Sequence, residues 1–496
     1  MREIRVLLLS AALVGVQGCA ASEGSSAPTI SAGGVATGGG SSQGGTPSGS
    51  GGAAGSGAVP AFAPCTGDAA TFEAFAAKVW TDLQAHGVTG GGLSVVCGGA
   101  TVFATGLGNA KKGGPPVTRH TRFQIASNTK TLTAAAALRL AEQGVLGIDD
   151  PVAKWLPVVN TSKPYAQGFT LAQLLSHTSG YPAGIDTALY QDLKASFEAN
   201  AGVELWAPPG AVFNYSNDGY AMAGLVLETA TGKPFGELIE TEVMKPAGML
   251  DARMDAAVVK SEGDYAVGDS SWDGQSYEPT DGYLAMPYYG PMGGAWASAD
   301  DLAALAVTFL SGGGGLFGPE SLAKMSAART PTAWEARSYG LGLFVDELGE
   351  VRVIGHSGSV AGFLSSYSIV PSRGLAVALV VNSDAYMPYA SDLLDQVALA
   401  FSGSALPAVT PIPYDAKLRA EHAGNYQSNT LGAMAVSDVG SQMQLVFGGQ
   451  TMALVPTWRD SYYFNYQSMD LDATFWRENG AVKYLVTPYG VGTRQP

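Results

Sequence analysis

The sequence predicts an α+β protein with a small all-β domain at its C-terminal end. Three observations carry that prediction. Strand-like runs stand at both ends of a helical middle, so one sheet is closed by distant parts of the chain. The chain of 496 residues is long enough for a large core and more than one domain. Beyond PAVTPIPYD the texture changes to short alternating runs.

Taken in order, the first segment is a targeting signal. MREIR carries two arginines, and VLLLSAALVGV is an apolar run too short to span a bilayer. It ends in VQGC, with Cys19 directly after Gly18. This resembles a bacterial lipoprotein signal over residues 1–18, which implies lipidation of Cys19, export and anchoring in the cell envelope, with the outer membrane as the expected leaflet. Ordinary secretion, with cleavage near Ala20 or Ala21, is the alternative. Residues 19–61 are dominated by Gly, Ser, Ala, Thr and Pro and read as a flexible tether. GSSQG within it matches the G-x-S-x-G pattern, but no strand-to-helix turn can form there. Of three cysteines, removal of Cys19 for lipid leaves Cys65 and Cys97. In an oxidising compartment these form an expected disulfide, with two free thiols as the alternative.

Globular sequence runs from 62 to 404. TFEAFAAKVWTDLQAHG has apolar residues at helical spacing, and GGLSVVCGGATVFATGLG reads as two strands around a glycine turn. A long helix is predicted from Ser127 to about Gln143, and a short one in LAQLLSHTSG. Ser298 and Asp301 open ASADDLAALAVTFL in capping-box spacing. SYGLGLFVD, EVRVIGHSG, FLSSYSIVP and LAVALVVNS read as strands. Residues 412–496 form the small all-β domain, in which Asn479-Gly480 marks a hairpin. Its aromatic stretch PTWRDSYYFNY fits core packing, with a ligand-binding pocket as the competing reading.

Composition narrows the function. A formal charge of −15 argues against a nucleic-acid binder, which needs a basic face. No H-E-x-x-H or paired-cysteine pattern is present, so neither metal nor cofactor is expected. FQIASNTK places Ser127 one helical turn before Lys130, on one face. A helix N-terminus favours developing negative charge by about 0.3–1 kcal/mol. A lysine buried in that alanine-rich helix has a depressed pKa, as a base requires. Ser321 and Lys324 have the same spacing and read as a structural pair on a surface helix.

FNYSNDGYAMAG supplies Tyr215 and Asn217, and VIGHSGSVAGF supplies His356, Gly358 and Ser359. In the order S-x-x-K, Y-x-N, basic-x-Gly, these resemble the penicillin-recognising serine hydrolases, in the class C β-lactamase, D,D-peptidase and esterase branch. EQGVLGIDDPVAKWLP, LLSHTSG, GGAWASADDLA and YGLGL resemble it too. The resemblance covers roughly residues 70–402. It implies an antiparallel sheet flanked by helices plus a mostly helical subdomain. It implies a serine hydrolase of amide or ester substrates, such as D-amino-acid peptides or small esters. A penicillin-binding envelope sensor with little turnover is the alternative, and a monomer is expected. Ser127 would be acylated, with Lys130 and Tyr215 moving protons by a route left open. Asn217 would fix the lysine and bind the substrate amide. The N–H groups of Ser127 and Ser359 would form the oxyanion hole, such a donor being worth ~10²–10³ in rate. His356 would meet a substrate carboxylate or carbonyl. β-Lactamases of the branch usually carry lysine there, and histidine makes carboxylate recognition weaker or pH-dependent. His177 would be a structural hydrogen-bonder near the cleft.

Overall fold

The structure, a computed structural model, describes residues 69–183, 192–281, 285–332, 337–348, 351–386, 416–440, 442–458, 460–466 and 469–496. The signal, the tether, Cys19 and Cys65 lie outside the described residues. So do both expected boundaries between the hydrolase segment and the all-β domain.

Eight strands build the main sheet: β1 (Gly90–Cys97), β2 (Ala100–Gly108), β7 (Thr330–Pro331), β8 (Arg337–Tyr339), β9 (Phe344–Leu348), β10 (Val351–Val360), β11 (Phe363–Val370) and β12 (Leu375–Val381). Their order is β2-β1-β12-β11-β10-β9-β8-β7, and every pair is antiparallel. β1 pairs with β12, Gly91 opposite Val381, so the sheet is closed by distant ends of the segment. The central strands read as continuous apolar runs because both faces are covered. Helix α1 (Ala69–Ala85) packs Phe72, Phe75, Val79 and Leu83 against Leu93, Val95, Val377 and Leu379. The other face carries the larger core. Cys97, ending β1, is held in a disulfide.

Between β2 and β7 lies the helical part. It comprises α2 (Thr129–Glu142), α3 (Leu171–Leu175), α4 (Leu193–Ala199), α5 (Asn217–Thr231), α6 (Phe235–Ile239), α7 (Ala256–Glu262), α8 (Gly290–Gly293), α9 (Ala299–Leu310) and α10 (Pro319–Met325). Two short ribbons interrupt it, β3 (Phe123–Gln124) with β6 (Trp296–Ala297), and β4 (Gly268–Asp269) with β5 (Ser276–Tyr277). The capping box that opens α9 forms as expected: Ser298 and Asp301 satisfy each other's backbone N–H groups. The second S-x-x-K pair stands on a surface helix, with the serine on its inner side. Ser321 is buried and donates to Glu142 of α2, while Lys324 points out.

The C-terminal segment opens with α11 (Ala416–His422). Strands β13 (Gly424–Ser428), β14 (Gly432–Asp438), β15 (Met443–Phe447), β16 (Gln450–Trp458), β17 (Ser461–Tyr466), β18 (Met469–Glu478), β19 (Ala481–Thr487) and β20 (Gly490–Arg494) close into a barrel. Closure removes the free edges that strands would otherwise expose. Asn479 and Gly480 both take positive φ, 51° and 83°, as a two-residue hairpin between β18 and β19 requires. The barrel is filled by side chains, among them Tyr426, Met443, Leu445, Tyr462, Phe464 and Phe475. The aromatics of SYYFNY that reach the interior are therefore core.

Candidate active site

Helix α2 is buried along almost its whole length, and hydroxyls fix it in place. Thr131 Oγ1 donates to Gly342 O (2.8 Å), Thr133 Oγ1 donates to Pro291 O (2.7 Å), and Thr129 Oγ1 accepts from Ala295 N (3.1 Å). The helix begins later than the sequence suggests. A 3₁₀ turn over Ala126–Asn128 precedes it, and no side chain caps either start. Ser127 is thus not a helix cap. Ala126, immediately before it, has φ 45°, a region costly for a residue with a Cβ.

The sheet holds that strained turn from below. Gly358 of β10 lies so close that a Cβ would stand 2.2 Å from Ile125 O and 3.0 Å from Ser127 N. Ser365 of β11 donates to Ile125 O (2.7 Å) and accepts from Asn128 Nδ2 (2.6 Å). The peptide groups of Ser127 and the Gly358–Ser359 segment are consequently brought side by side.

Lys130 Nζ is fully buried and has three partners: Ser127 Oγ at 3.0 Å, Asn217 Oδ1 at 2.8 Å and Met292 O at 2.8 Å. Two of these are obligate acceptors. If the amine is neutral, its two N–H bonds go to Asn217 and Met292, and its lone pair faces Ser127. Burial drives the Lys130 pKa well below the ordinary lysine value, with Asp218 opposing weakly. Tyr215 also bonds Ser127, while burial pushes its phenol well above the ordinary value. Ser127 Oγ therefore sits between a cation disfavoured by burial and a phenol kept protonated.

Tyr215 and Asn217 flank the start of α5, where Ser216 is the cap and accepts from Gly219 N (2.9 Å). His177, in the turn after α3, positions this entry. Its Nδ1 accepts from Ser216 N (3.0 Å), its carbonyl accepts from Asn214 N (2.8 Å), and its ring stacks on Tyr215 at 4.2 Å. His177 has φ 57°, a second strained position. Burial, then Lys130, hold its imidazole neutral. With Nδ1 accepting, the proton resides on Nε2.

His356, expected on a strand where it would meet a substrate carboxylate or carbonyl, lies on β10. It is buried, its Nδ1 bonds Ser357 O (2.6 Å), and its Nε2 accepts from Tyr339 OH (2.9 Å). Phe344 and Tyr339 pack on the ring. Burial and nearby Lys130 lower its pKa to about 3. The ring is thus neutral and presents no cation to a ligand. Sequence reasoning missed Met292 O and Tyr339. Among the described residues no group of three or more His, Cys, Asp or Glu side chains is placed to hold a metal.

Comparison with known proteins gives the family. The sequence profile described as Beta-lactamase matches residues 70–401. The chain belongs to the Beta-lactamase family. It is 29% identical over 343 residues to penicillin-binding protein 4 of Amycolatopsis lactamdurans, spanning 66% of this chain and 90% of that one. It is 35% identical over 149 residues to penicillin-binding protein 4* of Bacillus subtilis (strain 168), covering 28% of this chain and only 32% of the relative. Among solved structures, SurE with D-Leu superposes with a TM-score of 0.65 at 25% identity, covering 86% of this chain and all of that one. A D-stereospecific amidohydrolase from Streptomyces sp. superposes with a TM-score of 0.53 at 26% identity, over 66% of this chain and 99% of that one. As a Beta-lactamase family member, the chain has a serine-hydrolase fold, with the closed barrel following it.

Proposed function

We propose that this protein hydrolyses amide or ester bonds through an acyl-enzyme on Ser127, with D-amino-acid peptides and small esters as substrates. The observation that carries the reading is Ser127 Oγ held between the Lys130 amine and the Tyr215 phenol, with Asn217 and Met292 O using the amine's other hydrogens.

In the first half-reaction Ser127 Oγ attacks the carbonyl carbon and its proton passes to neutral Lys130. The negative charge that forms on the carbonyl oxygen is met by the N–H groups of Ser127 and Ser359. Tyr215 gives its proton to the leaving amine or alcohol, and the proton that Lys130 took from Ser127 then returns to Tyr215, which leaves the amine neutral for the second half-reaction. Water then attacks the ester carbonyl, losing a proton to Lys130, and Ser127 Oγ takes a proton as it leaves. The opposite shifts of the two groups favour Lys130 as base and Tyr215 as acid. A neutral His356 offers no ion pair to a β-lactam carboxylate, which favours peptides and esters over β-lactams. The D-leucine of SurE and the D-stereospecificity of the Streptomyces relative support D-amino-acid substrates.

The body would act at the envelope from an anchor at Cys19. Palmitate labelling of the expressed full chain, lost in Cys19→Ala, tests that placement.

Intact-protein mass spectrometry after exposure to a penicillin, an activated ester and a fluorophosphonate tests the chemistry. An adduct on the wild type and none on Ser127→Ala supports the acyl-enzyme. No adduct from any probe on folded protein overturns it. An acyl adduct from the activated ester that never decays would leave a penicillin-binding sensor in place of a hydrolase.

A further inference from the structure

Two of the three partners of Lys130 Nζ come from elements far apart in the chain. Asn217 Oδ1 stands at the start of α5, and Met292 O belongs to α8. With the amine neutral, these two acceptors decide where its lone pair points. Asn217 sits on a 15-residue helix with a bonded cap. Met292 has no such support of its own. Helix α8 is a single turn, Gly290-Pro291-Met292-Gly293, and Gly294 follows it. One turn is too short to hold itself, and glycine leaves the backbone free. The place of Met292 O is therefore imposed by what surrounds it.

Helix α2 holds one side of that turn. Thr133 Oγ1 donates to Pro291 O, and Thr129 Oγ1 accepts from Ala295 N. Helix α5 holds the other side, in two places. Gly224 lies so near that a Cβ there would stand 2.2 Å from Pro291 Cγ and 2.6 Å from Pro291 Cβ. Asp218, the residue after Asn217, accepts from Tyr288 OH. Tyr288 lies in the 3₁₀ turn Pro287–Tyr289, which runs directly into α8. Both residues are buried, and the Tyr288 ring packs 5.7 Å from that of Phe197. Away from water such a bond is strong. It joins the neighbour of one Lys130 acceptor to the turn that leads into the other. Neither side chain has a part in the proton transfers described above.

We propose that the Asp218–Tyr288 bond is a clamp that sets Met292 O and Asn217 Oδ1 relative to each other and so aims the Lys130 lone pair at Ser127. This rests on the reading of Lys130 as the base for Ser127. Asp218 and Tyr288 are positioning residues, acting through the two acceptors. With the clamp open, the glycine-rich turn shifts, Met292 O leaves its 2.8 Å contact, and the amine rotates away from Ser127. A displacement of about 1 Å at such a place costs on the order of 10²-fold in rate.

Hydrolysis of p-nitrophenyl acetate by the full chain tests the clamp. Its leaving group needs no acid, so kcat/KM reports the step in which Lys130 takes the proton. The Asp218 charge raises the Lys130 pKa, so removing it moves the ascending limb of kcat/KM to lower pH. Plateaus above the limb are therefore compared, where Lys130 is neutral in every variant. Tyr288→Phe keeps the ring and removes the donor, and its plateau falls at least about tenfold. Asp218→Asn still accepts from Tyr288 and only weakens the base, so its plateau stays within about threefold of wild type. Asp218→Ala removes the acceptor and falls as Tyr288→Phe does. Each rate is taken well below the melting midpoint of its variant, so a fold that is merely weakened leaves the plateau unchanged. Asn against Ala at position 218 asks the same question if Tyr288→Phe does not fold. A Tyr288→Phe plateau equal to wild type, or an Asp218→Asn plateau as low as that of Asp218→Ala, overturns the clamp alone. A wild type no faster than Ser127→Ala overturns the acyl-enzyme reading, and the clamp with it.

Discussion

Burial acts in opposite directions on the two groups that flank Ser127 Oγ, and rate should record this. Lys130 is lowered well below its ordinary value and Tyr215 is raised. The ascending limb of kcat/KM against pH should therefore fall well below the ~10.4 of free lysine. Lys130→Arg, whose guanidinium does not deprotonate, should remove that limb and most of the activity. A limb at the ordinary lysine value would show that Lys130 is not the base. Ser127→Ala should abolish turnover of an activated ester with the melting temperature held, whereas Ser321→Ala should leave turnover intact and cost about 1 kcal/mol through its lost bond to Glu142. His356 supplies a stability test. Its folded pKa of about 3 lies below the ordinary 6.5, because the buried imidazole resists charging. The unfolded chain gains this proton as pH falls through about 6.5, and the folded chain does not until about 3. The contribution is complete above pH 6.5 and is lost downward through that window, by at most about 1.4 kcal/mol per pH unit for this group. Urea midpoints measured from pH 7.5 to 4 should fall, and His356→Asn should flatten that fall.

At the scale of elements, the turn that carries Ser127 is held by what lies beneath it. Gly358→Ala would put a Cβ 2.2 Å from Ile125 O, against backbone that cannot swing away. The expected result is a loss of about 1–3 kcal/mol, as in other overpacked sites, together with loss of fluorophosphonate labelling. Labelling at the wild-type rate would mean that the turn tolerates displacement. The same turn shows which parts of the site could be read beforehand. Ser127 and Lys130 are one helical turn apart, so their meeting follows from spacing alone. The Ser298–Asp301 capping box and the Asn479-Gly480 hairpin are equally local, and each formed as its residues require. Met292 O could not be read, because a carbonyl 162 residues away has no side-chain signature. Nor could the burial of His356, since it depends on Tyr339 and Phe344 arriving from neighbouring strands. The α2 start was misplaced because Ala126 is strained, and strain imposed by the sheet leaves no mark on propensity.

For the whole molecule, the barrel is joined to the catalytic body by packing as well as by chain. Tyr484 and Val491 of the barrel bury against Ala183, Trp206, Ala207 and Val212, and Asn429 Nδ2 donates to Leu205 O (2.7 Å). Trp476 packs on the Phe213, Tyr339 and Phe344 cluster, against which Tyr215 also lies. The barrel thus forms one wall around aromatics that hold the phenol beside Ser127, although no barrel residue touches Lys130 or Ser127 by hydrogen bond among the described residues. Trp476→Ala should cost about 2 kcal/mol, less than the ~3–5 of a fully buried tryptophan because the ring is only half-buried. Its larger effect should be on kcat for ester hydrolysis, through a loosened Tyr215. Removing residues 412–496 should do more, since it bares Trp206, Val212 and Phe213 together, lowering the melting temperature of the remaining body and its hydrolysis rate in parallel. The two variants separate a wall from a passenger. A truncated body that melts and turns over like the full chain would make the barrel an independent module carried by the same chain. A body that keeps its fold but loses rate in step with Trp476→Ala would place the barrel's contribution at Tyr215.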